Sequence, residues 1–316
     1  YFTGVTLVNT GEAAAPATLE AYAENGELLA SVPADIPAGG KYVRLVDQVF
    51  GLADPSQIRF LRVSAPEPLI GFELFGSLLN PGMAGLPAFV PAGVPGKSNR
   101  EMRTLYYGEI PDPSFYYTGV TFSNLGLEPV TARASLHDAA GVALARAEWP
   151  VGVRQQITRE IWNVFDGTPL ANASYLKVQS PAELLGFELY LTRDPGQYPF
   201  QFDGLVGQGD GSLRLVFPMA APADDWTSRL KLVNLAASEN ALTVRGYPAA
   251  GGDGWSWAGS VPASGSLSLT MAELFPGHEA EVAWLAVDGS FRLAGDLFYA
   301  SPDLTRLGSY AGIAAE

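Results

Sequence analysis

The chain has 316 residues, a formal net charge of -14, 47% hydrophobic residues and only 16% charged ones. That length and composition fit two or three folded domains and exclude a disordered chain. The acidity, with no basic stripe to neutralise phosphates, argues against nucleic acid as a partner. Cysteine is absent and His137 and His278 are the only histidines. Disulfides, thiol chemistry and a multi-histidine metal site within one domain are therefore excluded, and no cofactor is expected.

Taken in chain order, the elements are short strands. Val5 and Leu7 alternate with Thr6 and Val8, and Ala17, Leu19 and Ala21 alternate with Thr18 and Glu20, the period of two of a half-buried strand. Phe60 to Val63 and Ile70, Phe72 and Leu74 continue it. Turn residues separate these runs: Glu24-Asn25-Gly26, Pro37-Ala38-Gly39-Gly40 and Ala65-Pro66-Glu67. The most apolar stretch, 82–94, is cut by Pro87, Pro91 and Gly93 and reads as a connection, so no transmembrane segment is expected. Further apolar strands are predicted over 103–107 and 214–217. The first repeat shows no counterpart of them, so either the natural protein extends upstream or an edge there is left to be covered. Stretches 91–100 and 204–211, rich in Gly, Pro and polar residues, are predicted boundaries. Thr270 and Glu273 form a capping box ahead of Pro276-Gly277, which predicts one short helical turn. Residues 158–165 are its counterpart.

The strongest signal is internal repetition. Tyr1-Phe-Thr-Gly-Val-Thr-Leu-Val-Asn9, Tyr116-Tyr-Thr-Gly-Val-Thr-Phe-Ser-Asn124 and Trp226-Thr-Ser-Arg-Leu-Lys-Leu-Val-Asn234 align, with their Asn residues 115 and then 110 positions apart. Phe50, Phe165 and Phe275 form a second anchor. Gly71, Gly186 and Gly295, inside Leu-x-Gly strands, form a third. Three anchors in order imply duplication. The expected fold class is all-β, with three tandem immunoglobulin-like two-layer β-sandwich domains over 1–95, 102–208 and 212–316, each of about seven strands.

Candidate sites are few. Asn9, Asn124 and Asn234 are expected to cap the following turn through their side chains. Phe50, Phe165 and Phe275 are expected to plug one end of each sandwich. Trp255 and Trp257 share a face beside Gly251-Gly-Asp-Gly254. With Tyr116 and Trp226 they are the candidate ligand or interface aromatics, for stacking on a glycan or for a protein contact. Glu73 and Glu188 occupy equivalent strand positions and read as solvent-facing partners of Arg or Lys. A carboxylate pair for glycoside hydrolysis would need them together in one cleft. The chain has no G-x-S-x-G elbow, no Walker lysine and no calcium loop, so no catalytic, cofactor or metal residue is expected and the chain does not read as an enzyme.

The Tyr/Trp-Thr-Gly-Val-x-Leu-Val-Asn opening, the Pro-Ala-Gly-Gly segment, the Leu-Phe-Pro-Gly turn and the closing Leu-x-Gly-Phe strand resemble tandem β-sandwich repeat modules of exported and surface proteins of bacteria. The third repeat departs most, with Ser228-Arg229 in place of Thr-Gly. The resemblance covers nearly the whole chain and implies a secreted or cell-surface β-sandwich with no catalytic residues. The first expected function is structural or adhesive, with self-association through sheet edges. The alternative is a carbohydrate-binding module.

Overall fold

The computed structural model describes residues 2–76, 83–87, 104–165, 168, 170–182, 184–193, 202–220, 226–301 and 307–315. It is all-β, with antiparallel sheets that recur along the chain as sandwich-like modules. Tyr1, Arg103 and the boundary stretch 91–100 lie outside the described residues.

The first repeat holds β1 (Phe2–Asn9), β2 (Ala15–Tyr22), β3 (Leu28–Ile36), β4 (Lys41–Leu45), the helical turn α1 (Val46–Phe50), β5 (Phe60–Ser64), β6 (Leu69–Gly76) and β7 (Met83–Pro87). They form sheets ordered β4-β1-β6-β7 and β3-β2-β5. Alternation decides what is inside. Val5 and Leu7 of β1 meet Ala15, Ala17, Leu19 and Ala21 of β2, and Phe50 closes the cluster.

The second repeat holds β8 (Thr104–Tyr107), β9 (Tyr116–Asn124), β10 (Val130–His137), β11 (Ala143–Val151), β12 (Gln156–Glu160), α2 (Ile161–Val164), β13 (Tyr175–Gln179), β14 (Leu184–Thr192) and β15 (Phe202–Val206). Its sheets run β11-β10-β13-β8 and β12-β9-β14-β15. Here β8 adds an edge strand beside β13; the equivalent sheet of the first repeat ends at β5. Strand β15 takes in Gly204, Leu205 and Val206, which the glycine-rich pattern had suggested for a connection.

The third repeat holds β16 (Ser212–Phe217), β17 (Thr227–Asn234), β18 (Asn240–Tyr247), β19 (Trp255–Val261), β20 (Ser266–Thr270), α3 (Met271–Leu274), β21 (Trp284–Ala300), β22 (Leu307–Ala311) and β23 (Ile313–Ala314). Its β21 is one strand of 17 residues where the other repeats have two. The first half pairs with β18 and β16, the second with β17 and β22. In the first two repeats Pro66 and Pro181 break the strand there, since proline cannot donate to a ladder. The third repeat has Gly289-Ser290-Phe291-Arg292 instead. Asn240 secures it, accepting from Phe291 N–H and donating to Phe291 O, both at 2.9 Å.

The third helical turn follows from local chemistry. Thr270 accepts from Glu273 N–H and Glu273 accepts from Thr270 N–H, which caps α3. Phe50, Phe165 and Phe275 are 9%, 3% and 2% exposed and sit in the three separate cores.

Gly186 shows why a glycine recurs in the closing strand. A Cβ there would lie 2.1 Å from the Tyr107 hydroxyl and 2.6 Å from the Thr121 carbonyl oxygen. At Gly295 it would lie 2.7 Å from Leu232 and 3.0 Å from Leu215 of β16. The first strand of the repeat packs against the missing side chain. Gly186→Ala is expected to lower the stability of the second repeat by about 1–3 kcal/mol through overpacking. A melting curve unchanged by that substitution would contradict the packing.

Candidate functional site at the repeat junctions

Successive repeats meet through corresponding residues. Turn Glu24-Asn25-Gly26 joins β2 to β3, and turn Ala139-Ala140-Gly141 joins β10 to β11. Gly26 and Gly141 have φ of 85° and 84°, the left-handed region that a side chain disfavours. Each turn presses on the turn ahead of β12 or β20 in the following repeat. A Cβ on Gly26 would lie 2.8 Å from the Val153 carbonyl oxygen, and one on Gly141 would lie 2.6 Å from that of Ser264. The receiving residues Arg154 and Ser264 have φ of 54° and 51°. Gln156 N–H donates to Glu24 O at 3.1 Å, and Ser266 N–H donates to Ala139 O at 3.0 Å. The last strands also lie side by side, β7 along β15 and β15 along β22. Phe75 stacks on Phe202 across the first junction, and the equivalent Tyr190 packs on Phe298 across the second.

A stacked ring pair stands beside each turn: Tyr22 on Phe60 in the first repeat, His137 on Tyr175 in the second. Tyr175 is buried with Val233 and Ala294 of the third repeat, and its hydroxyl donates to Ser264 O at 2.5 Å.

Among the described residues, the second junction carries a buried polar cluster that the first lacks. Lys231, in the place of Thr6 and Thr121, is 7% exposed. Its ammonium donates to Ser174 Oγ at 2.7 Å, and Ser174 Oγ lies 2.7 Å from Ser266 Oγ. Asp296, in the place of Phe72 and Phe187, is 1% exposed and accepts from Gln208 Nε2 at 2.6 Å. Gln208 also accepts from Gly295 N–H and donates to Gly295 O. Arg229 reaches across to Glu109 at 2.6 Å, with its guanidinium over the Phe298 ring. Burial, with the Glu109 charge second, pushes Asp296 up to about 8. Burial pushes Asp203, which accepts from Ser309, up to about 7. It also lowers Lys231 below the ordinary lysine value.

Glu188 corrects an expectation. It is fully buried, on the face of β14 that it shares with Gly186 and that pairs with Val120 and Phe122. Neither carboxylate oxygen has a hydrogen-bond partner among the described residues. Burial and the Glu109 charge hold it far above the ordinary carboxylate range. Glu73, its counterpart, is likewise raised by burial. Neither is a solvent-facing partner of a basic side chain. Their flanking Phe and Leu residues take the outer face in these strands, which puts the carboxylates on the inner face with Gly71 and Gly186, opposite to the expectation.

The other singled-out residues are scattered. Trp255 and Trp257 are half-buried against the third core, and Trp255 stacks on His278. Tyr116 packs edge-on to Tyr190, and Trp226 edge-on to Tyr299. Asn9, Asn124 and Asn234 each accept from the backbone N–H two residues on and donate to three carbonyls. The hollow lined by Ile110, Pro113, Trp162 and Arg193 has room for about one water. Among the described residues no group of three metal-ligating side chains occurs, and no helix is long and apolar enough to cross a membrane.

The junction geometry makes a direct prediction. Gly141→Asn keeps a residue that tolerates positive φ, yet its Cβ would meet the Ser264 carbonyl. It is expected to weaken the second junction by about 1–3 kcal/mol and to speed limited proteolysis near 207–211. Unchanged proteolysis would show that the turn does not hold the repeats together.

No family model and no curated protein matches this chain. Three solved structures show distant likeness. Thermotoga maritima 1070 is 12% identical, covers 34% of this chain and 97% of its own, with a TM-score of 0.31. The empty top-component particle of cowpea mosaic virus is 9% identical, covers 66% and 92%, with a TM-score of 0.18. A tetra-tandem repeat from the extending region of a large adhesion protein is 13% identical, covers 96% and 67%, with a TM-score of 0.15. Scores this low leave the reading of the chain to rest on its own residues.

Proposed function

We propose that the chain is a structural or adhesive protein of the cell surface or the extracellular space. In this reading it consists of three immunoglobulin-like sandwich domains, over 1–95, 102–208 and 212–316, that serve as a stiff spacer. The observation that supports it is the junction used twice with corresponding residues: Gln156 N–H to Glu24 O, then Ser266 N–H to Ala139 O. A hinged ligand-binding or catalytic protein gains nothing from a repeated, hydrogen-bonded junction, whereas a spacer gains stiffness. The absence of cysteine is compatible with export, because these cores are apolar and continuous. A glycan platform has less support, since Trp255 and Trp257 pack against the third core.

Antibody labelling of intact, unpermeabilised source cells and of their medium tests the reading. Label at the surface or in the medium is the expected result. Label that appears only after permeabilisation would overturn it.

A further inference from the structure

Each junction pairs a donor turn with an acceptor turn, and one further turn of each kind stands exposed, the donor in the third repeat and the acceptor in the first. The third repeat carries a donor half. Its turn Pro248-Ala249-Ala250-Gly251 stands in the place of Glu24 to Gly26 and Ala139 to Gly141, and Gly251 keeps the left-handed conformation with φ of 76°. A Cβ on Gly251 would meet nothing within 4 Å, whereas the same atom on Gly26 or Gly141 would strike the neighbouring repeat. Beside the turn, Tyr247 stacks on Trp284 with centroids 4.1 Å apart, the third instance of the ring pair. In each used half one ring is buried, Tyr22 at 3% and Tyr175 at 1% exposed, beside a half-buried Phe60 or His137; in the third repeat Tyr247 and Trp284 are both half-buried.

The first repeat carries the acceptor half. Its turn Ala38-Gly39-Gly40-Lys41 matches those at Arg154 and Ser264, and Gly39 has the matching φ of 64°. A Cβ on Gly39 would meet nothing within 4 Å. The outer sheet face beside it carries exposed apolar side chains. Ile70 is 62% and Phe72 42% exposed, where their equivalents are half-buried in the second repeat, Leu185 and Phe187, and 1% exposed in the third, Ala294 and Asp296. Val8 is half-buried, where Val233 is fully covered by the second repeat.

We propose that the donor half of one chain docks on the acceptor half of a second copy. Lys41 N–H then donates to Ala249 O, as Gln156 and Ser266 do to Glu24 and Ala139. The occupant is a second copy because every copy presents both exposed turns, and the two kinds of turn already fit one another twice, at Gln156 N–H to Glu24 O and Ser266 N–H to Ala139 O. The charges agree as well, with Lys41 on the acceptor and Asp253 in the donor turn. Such a contact is head-to-tail and does not close on itself, so it propagates into a filament. The internal junctions benefit from a covalent tether, worth an effective concentration of about 1 mM; the intermolecular contact is accordingly weak. This inference rests on the structural reading above and adds its partner and site.

The test is mass against concentration by light scattering and sedimentation. Wild type is expected to be monomeric at about 10 µM and to grow without stopping at a dimer toward about 1 mM. Gly251→Asn removes the donor, since Asn tolerates positive φ in an exposed turn. Ile70→Lys removes the acceptor without touching a core. Each variant alone is expected to stay monomeric, with wild-type melting as the check on folding. An equimolar mixture of the two still holds one live donor and one live acceptor, and is expected to stop at twice 33.5 kDa. A wild type that remains monomeric at about 1 mM overturns the contact but not the spacer role, which surface labelling tests separately. Growth that persists in both variants overturns this site while leaving self-association standing. A mixture that stays monomeric overturns it too.

Discussion

Replacing Asn124 with alanine is expected to destabilise the second repeat by about 3–5 kcal/mol, one of the largest single losses in the chain. The side chain is fully buried and joins three segments. Its Oδ1 accepts from Gly126 N–H at 2.9 Å, which shapes the turn after β9. Its Nδ2 donates to Glu128 O at 2.8 Å and to Gly152 O at 3.1 Å, with Val151 O at 3.4 Å. The last two tie β9 to the end of β11. Alanine leaves these carbonyls and one N–H without the partner, and each such buried group costs about 1–3 kcal/mol. Asn124→Asp is informative in a different way. It retains the acceptor for Gly126 but aims an oxygen at carbonyls, so it is expected to lose nearly as much. Denaturant unfolding followed by hydrogen exchange resolved to 104–206 measures both. A loss under about 1 kcal/mol for alanine would mean that the turn holds itself.

The repeat made such positions visible. Asn9, Asn124 and Asn234 stand out because the same three-segment problem is solved three times with one residue type. The strands were legible for the same reason, since period-two patterns agreed across copies. The fused β21 was not, because the third repeat replaces a proline turn by Gly289 to Arg292 and then depends on Asn240, where the other copies have Ala15 and Val130. A residue used once leaves no echo. Lys231 and Asp296 are the instructive misses. They stand where the other repeats carry threonine and phenylalanine, and such a departure is itself a signal. A lysine and an aspartate on the outer face of one copy only mark the face that a neighbour buries. Ser228-Arg229 departs visibly from the other openings, yet the partner of Arg229, Glu109, lies 120 residues earlier, beyond the reach of any local pattern. Burial of Glu188 escaped notice because a glutamate in an alternating strand suggests the solvent face, while here Gly186 and Glu188 share the inner one.

The same buried acids make the second junction pH-sensitive. Asp296 is pushed from an ordinary 3.8 to about 8, and Asp203 from 3.8 to about 7. Both therefore hold protons in the docked state that the separated or unfolded state releases. Where the native state binds more protons, stability falls as pH rises. The contribution of these groups is intact below the ordinary value near 4. It is lost progressively as pH climbs from there, until about 7 for Asp203 and about 8 for Asp296. With about 1.4 kcal/mol per pKa unit, Asp296 alone corresponds to a change on the order of 5 kcal/mol. Lys231, Gln208, Gly108, Glu109 and Glu188 face Asp296; Ser309, Tyr190 and Gly204 face Asp203. The expected result is a junction that melts and is cleaved more readily at pH 9 than at pH 6. Asp296→Asn replaces a protonated acid by a neutral group of the same shape that still accepts from Gln208. Its melting temperature should match wild type near pH 4, already exceed it at pH 6 and exceed it most at pH 9, with a flatter profile between. A wild type whose melting temperature rises over that range, or a variant equally weakened at both ends, would show that Asp296 is charged in the folded chain and that Lys231 is its ion-pair partner.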